Sequence, residues 1–265
     1  MGHTRLGSIP KSKKWNEVVD VFVSELENVQ FKKNELNKIS TSTIRAAKNG
    51  LDEVTNDEGL QYSFYLLSQL ILKSKSNEWY SELSHLGLNV NENSTAIDLQ
   101  IELHAAIDDY CEANNIHSDI REIAQKSVGI TLSDLVLENS ESLFGDNAVD
   151  VKVAMRKYSS VKGFSEVGQK FFGSFLTQYL NFYLSRISAS VLGHGVISKV
   201  NDISSFNKLF ENHCYQSAKI IKQFTGEWIS KTEYEQGVNQ ENISRFIAVS
   251  IKKIQAELGK QEVGQ

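Results

Sequence analysis

Apolar residues recur every three or four positions through most of the chain, which is the spacing of residues on one face of an α-helix. A first amphipathic helix is predicted after Pro10, and a weaker one over residues 35–49, ended by Gly50. Residues 59–72 carry no charge. They predict a buried helix, because a helix that crosses a bilayer needs about 20 residues. No alternating strand pattern or internal repeat stands out.

The middle of the chain predicts several shorter helices. Ser94 is the expected cap of a helix whose apolar stripe ends at Tyr110 and Cys111. Further helices are predicted at about residues 118–128, 132–139 and 147–158, with Gly129 in the break between the first two. Residues 123–135 resemble a helix-turn-helix, but the alanine lies five positions before the glycine instead of four. Its second helix would also bring three carboxylates to DNA phosphates, so we predict a helix pair within the fold.

The most distinctive segment is an aromatic helix predicted from about residue 164 to residue 192. Within it, residues 171–185 carry no charge, and polar residues recur every three or four positions on one side. Arg186 would cost about 2.5 to 3.5 kcal/mol in a membrane-spanning helix, so a core helix is preferred to a membrane contact. Small residues such as Gly168 and Gly173 would let another helix approach closely. The opposite face is expected in the core or at a protein interface, and it contains Phe171, Phe175, Tyr179 and Phe182.

The C-terminal part predicts one helix over residues 204–230 and a last one over residues 242–258, closed by Gly259. Together these patterns predict an all-α fold, a multi-helix bundle around the central aromatic helix. We expect a single domain over residues 1–265, and any subdivision would fall in the polar stretch 139–146.

Composition limits the classes of function. The chain is 40% hydrophobic and 23% charged with a formal charge of -5, which is ordinary for a folded protein and gives no global nucleic-acid-binding surface. Cys111 and Cys214 are far apart and have no CxxC spacing, so neither a disulfide framework nor a zinc site is predicted. The polar, basic N-terminus lacks the apolar stretch of a secretory signal, and we expect a cytoplasmic protein.

The sequence lacks the residue spacings of several common catalytic motifs. The phosphate loop GxxxxGK[ST], the dinucleotide motif GxGxxG, the nucleophile elbow GxSxG and the zinc motif HExxH do not occur. Glu82 and His85 form one ExxH pair, whereas di-iron carboxylate proteins need two. Arg186 and His194 are similar to the Arg and His pair of HEPN nucleases, but seven residues separate them instead of four to six. No metal or cofactor is therefore expected.

The N-terminal arm, residues 1–14, carries unbalanced positive charge. Its basic residues precede the first acid, Glu17, and they are the candidate anion-binding residues Arg5, Lys11, Lys13 and Lys14. Lys13 and Lys14 would occupy the first turn of a helix, where the helix dipole disfavours cations by a few tenths of a kcal/mol. An RNA, a DNA or an acidic protein surface could offset that cost, and solvated lysines in an arm are the simpler alternative.

These observations favour a non-enzymatic, helical protein-interaction or scaffold subunit that self-associates or joins a larger assembly. The opening residues 3–15 resemble bacterial proteins of conflict or defence systems, which suggests a bacterial accessory subunit. One alternative is a nucleic-acid-associated factor that uses the arm. The other is an all-helical, nuclease-like enzyme with a spatially assembled site.

Overall fold

The computed structural model describes residues 54–138, 148–191, 200–235 and 237–263, and also residues 20, 42, 43 and 51. Within these residues there are nine α-helices and no β-strand, which confirms the predicted all-α bundle. The helices are α1 (Glu58–Lys73), α2 (Trp79–Ser84), α3 (Ala96–Ala113), α4 (Asp119–Leu137), α5 (Ala148–Tyr158), α6 (Val161–Val191), α7 (Val200–Ser217), α8 (Lys219–Glu235) and α9 (Gln240–Val263).

Polar side chains at the helix starts explain where α1 and α3 begin. Asp57 accepts a hydrogen bond from the Leu60 amide at 2.8 Å and so caps α1. Thr95 and Asp98 form a reciprocal capping box at the start of α3, in which each side chain accepts from the other residue's amide. The cap is therefore one residue later than the predicted Ser94, whose hydroxyl instead accepts the Asn91 amide.

Helix α6 is the centre of the bundle, as predicted from its aromatic sequence, and it packs against α4, α5, α7 and α8. The ring of Phe64 on α1 lies 4.9 Å from that of Phe171 on α6 and 5.4 Å from that of Phe246 on α9, measured between centroids. Trp228 on α8 lies 4.3 Å from the same Phe246 ring. Rings at these separations attract one another beyond their buried area, and they join four helices into one core.

Two small residues of α6 allow the close helix contacts that the sequence predicts. A Cβ atom added to Gly168 would overlap the Thr225 side chain on α8. A Cβ atom on Gly173 would lie 3.2 Å from the Cα of Tyr215 on α7. Both glycines are thus used for packing inside the chain.

Three further sequence-based boundaries were wrong, and one short helix was not predicted. Helix α4 runs unbroken through Gly129, so there is neither a helix pair nor a helix-turn-helix there. The predicted helix over residues 204–230 is two helices that meet at Ala218, and this break allows both to pack against α6. Helix α9 continues past Gly259 to Val263. The short helix α2 was not predicted; the buried Trp79 at its start donates an indole hydrogen bond to the Leu70 carbonyl at 3.0 Å.

Both cysteines, Cys111 on α3 and Cys214 on α7, are buried free thiols. Burial raises the pKa of Cys111 to about 11 and that of Cys214 to about 12, so neither is a reactive thiolate near neutral pH. Among the described helices, none combines the length and the apolar character that a bilayer crossing requires.

Candidate partner-binding face

Of the ExxH pair that suggested metal chemistry, Glu82 is held in an ion pair and His85 lies on the surface. Glu82 forms an ion pair with Lys73 at 2.7 Å between carboxylate oxygen and Nζ, which lowers the pKa of Glu82 through that hydrogen bond. His85 is exposed at the end of α2. In the part of the chain that the structure describes, no three His, Cys, Asp or Glu residues are grouped as metal ligands.

Several sequence-predicted site residues lie outside the described residues. They include the four arm residues Arg5, Lys11, Lys13 and Lys14, the proposed boundary at 139–146, and His194. The side chain of Arg186 is also outside the described part. The nucleic-acid and nuclease-like hypotheses, which depend on these residues, therefore stay predictions.

The four aromatic residues proposed as core or interface occupy two different environments. Phe171, Phe175 and Tyr179 are 0%, 1% and 0% exposed, and their rings stack in sequence along α6. Phe182 is only partly buried. Of these four, Phe182 is therefore the residue that reaches the protein surface.

Phe182 lines a groove of about 390 Å³ between α4 and α6. Gln178 and Asn181, two members of the predicted polar stripe, share the α6 wall with it. The α4 wall is formed by Asp119, Glu122, Ile123 and Lys126. This groove has an aromatic surface beside amide groups that can donate and accept hydrogen bonds.

A second groove, of about 350 Å³, runs along the other side of α4, between α4 and α3. Gln100 and His104 supply its α3 wall, and Gly129 lies beneath them on α4. A Cβ atom on Gly129 would lie 2.7 Å from Gln100 Nε2 and 3.0 Å from His104 Nε2. Glycine in the middle of α4 therefore leaves room for two polar side chains of α3, which a side chain at position 129 would push aside.

The imidazole of His104 lies in this second groove, where its surroundings favour the neutral form. Burial lowers its pKa, and this effect exceeds the opposing influence of Asp108 and of the contact with Gln125. Gln125 Nε2 donates to the His104 carbonyl at 2.9 Å and so ties α4 to α3. The Nε2 atom of His104 is shielded from solvent and has no hydrogen-bond partner among the described residues.

Glu122 and Lys126 separate the two grooves and line both of them. Both are exposed, and they are one helical turn apart on α4. Neither has an ion-pair partner within the described ranges, although ion pairs occur elsewhere on the surface. We call the surface made of α4 and its two grooves the α4 face.

A partly buried polar network fixes the first turn of α4 against α1 and α3. The Ser118 hydroxyl donates to the Asp57 carboxylate at 2.6 Å and accepts the Arg121 amide at 3.0 Å. The Arg121 guanidinium pairs with Asp108 of α3 at 3.3 Å. One carboxylate thus caps α1 and also holds the residue that caps α4, so the two helix starts are linked.

The α4 face has an apolar end. Contacts from Asp108–Arg121 to Gln100–Ser133 show that α3 and α4 run antiparallel. Leu137 lies one turn beyond Ser133, and the start of α3 lies at the same end of the pair. The exposed apolar side chains at this end are Ile97 (37%), Ile101 (58%) and Leu137 (50%).

Sequence reasoning did not find the α4 face, because it placed a turn at Gly129 and divided α4 in two. A single glycine inside an apolar period that continues on both sides could have shown that α4 is one continuous helix, although it does not show the grooves. Comparisons with protein-family models, with curated proteins and with solved structures give no match for this chain.

Proposed function

We propose that this chain is a non-enzymatic accessory subunit that binds another protein chain along the α4 face. The observation that carries the proposal is the combination of two grooves with one exposed helix between them. A helix or extended segment that binds along α4 could place side chains in both grooves, as in helix-in-groove recognition.

The chemistry of the face supports a protein partner. Phe182 offers a partly buried aromatic ring, and Ile97, Ile101 and Leu137 add apolar area at one end. Such anchors, surrounded by polar groups, are typical of protein interfaces. The partly exposed Gln100 in the second groove provides an amide that would recognise a polar partner atom.

The proposed location is the cytoplasm. Two free cysteines suit a reducing compartment, where thiols stay unpaired. Their depth in the core fits this proposal, because a buried thiol packs as a small apolar residue.

Site-specific photo-crosslinking tests the proposed function in the full chain. Lys126→p-benzoylphenylalanine places the reactive group on the α4 face, and Lys231→p-benzoylphenylalanine places it on α8, where Lys231 is 73% exposed. We expect protein adducts of defined mass from position 126 and none of the same mass from position 231. Equal adduct patterns from the two positions, or no protein adduct from position 126, would overturn the proposal.

A further inference from the structure

We propose that the protein partner of the α4 face is a second copy of this chain, with the two α4 helices antiparallel and crossing at Glu122 and Lys126. This inference rests on the proposed function, because it names the partner of the same surface. It predicts a symmetric dimer in which the same patch is used twice.

The charge pattern of α4 carries the inference. Glu122 and Lys126 have opposite charges, are exposed, and lack ion-pair partners among the described residues. A two-fold axis midway between them places Glu122 of each copy opposite Lys126 of the other. A parallel arrangement would place like charges together, so the pattern is self-complementary only when the helices are antiparallel.

The shape of the face agrees with this arrangement. Because the two grooves flank α4, the exposed ridge of one α4 helix can lie in the α4/α6 groove of the other copy. There the ridge would cover Phe182, which is partly buried in the described chain. The contact would then have paired charges at its two-fold axis and one buried aromatic ring on each side of that axis.

The first arm of the experiment measures mass by sedimentation velocity over a wide range of protein concentration. The wild-type chain is expected to show a reversible monomer–dimer equilibrium. Glu122→Lys and Lys126→Glu each create like-charge contacts at both symmetry-related pairs, so each should raise the dimer dissociation constant about tenfold or more. The double variant Glu122→Lys/Lys126→Glu exchanges the charges, and it should restore the wild-type dimer.

The second arm mixes the two single variants. One then presents two lysines and the other two glutamates, so they should form a heterodimer although neither forms a homodimer well. This result does not depend on how each variant affects its own stability. The control is Glu241→Lys on α9, which disrupts an exposed Glu–Arg pair of the same helical spacing and should leave the dimer unchanged.

The outcomes separate this inference from the proposed function. The second-copy inference is overturned if the wild-type chain stays monomeric at all concentrations. It is also overturned if the charge reversals leave the dimer dissociation constant unchanged. If crosslinks from position 126 then join a different protein, the proposed function stands and the second-copy inference alone fails. If the wild-type chain is monomeric in sedimentation and position 126 gives no protein adduct, both fail.

Discussion

Helix α6 contacts α8 on one side and α4 on another, and the two contacts differ in how closely the helices approach. Against α8, Gly168 brings the α6 backbone onto the Thr225 side chain without room for a Cβ atom. Against α4, longer side chains such as Gln178 and Phe182 leave a groove of about 390 Å³. The same helix thus closes one contact and leaves the other open, because the residues at each contact differ in size.

The largest expected difference in stability is between variants in the closed core and a variant at the open groove. Phe175→Ala and Tyr179→Ala should each lower the free energy of unfolding by about 3 to 5 kcal/mol, because both side chains are fully buried. Phe182→Ala should cost far less, about 1 kcal/mol, because part of its ring already faces the groove. Chemical denaturation measures all three. Equal losses of unfolding free energy in Phe175→Ala and Phe182→Ala would contradict the difference between the core and the groove.

Two helical glycines provide a second comparison. Gly168→Ala should destabilise by about 1 to 3 kcal/mol, because its methyl group meets the stiff, buried Thr225. Gly129→Ala meets only the ends of Gln100 and His104, which can move. It should be neutral, or stabilising by up to about 1 kcal/mol through helix propensity.

The double variant Gly168→Ala/Thr225→Ala is the control for this comparison. It should recover part of the loss of Gly168→Ala, since the smaller side chain leaves space for the new methyl group. If the effects of the two substitutions on the free energy of unfolding are additive, the contact with Thr225 is not the cause of the stability loss in Gly168→Ala.

Substitutions of Asp57 test the polar network that holds the start of α4 in place. Asp57→Ala should cost about 1 kcal/mol through the lost cap, whereas Asp57→Asn keeps an oxygen for the Leu60 amide and should cost less. Burial raises the pKa of Asp57 despite hydrogen bonds from Ser118 and Leu60 that lower it. The folded chain therefore holds this proton more tightly than the unfolded chain does.

The sign of the pH dependence follows from that raised pKa. The stabilisation from protonated Asp57 is fully present below its unfolded pKa and is lost as the pH rises through its folded pKa. Asp57→Asn should lack this loss, so the wild type should lose stability relative to the variant as pH rises. Urea denaturation at a series of pH values measures the difference, and a gap that does not change with pH would argue against a raised pKa.

The smallest stability effect is expected in the N-terminal arm. Replacing Arg5, Lys11, Lys13 and Lys14 together by Gln should change the free energy of unfolding by only a few tenths of a kcal/mol per residue. The same variant should weaken any binding of RNA, DNA or an acidic surface, and binding of the wild type should fall steeply with salt. If fluorescence anisotropy at low salt shows no affinity for any of these, the arm is merely solvated.

Much of the fold could be predicted because helical periodicity and helix caps are local signals. The buried α1 helix was predicted over residues 59–72 and is found as Glu58–Lys73. The aromatic pattern of α6 correctly predicted its central place. The break at Ala218 was missed because alanine favours helix, and the turn there depends on the packing of α7 and α8 against α6.

The α4 face could not be predicted from local signals. Its grooves depend on which side chains of α3 and α6 lie beside α4, and residues such as Gln100 and Phe182 are far from Glu122 in sequence. Periodicity can show that Glu122 and Lys126 share an exposed helix side, but it cannot show that both lie between grooves. The spatial arrangement, and not the local pattern, therefore identifies the candidate site.

The two buried thiols make the chain its own reporter of local opening. An alkylating reagent needs both access and a thiolate, so it should label Cys111 and Cys214 only during brief departures from the packed state. The labelling rate of Cys111 would report how often α3 separates from its neighbours. The labelling rate of Cys214 would report the same for α7, without any added probe. The ratio of the two labelling rates would then show whether α3 or α7 separates from the bundle more often.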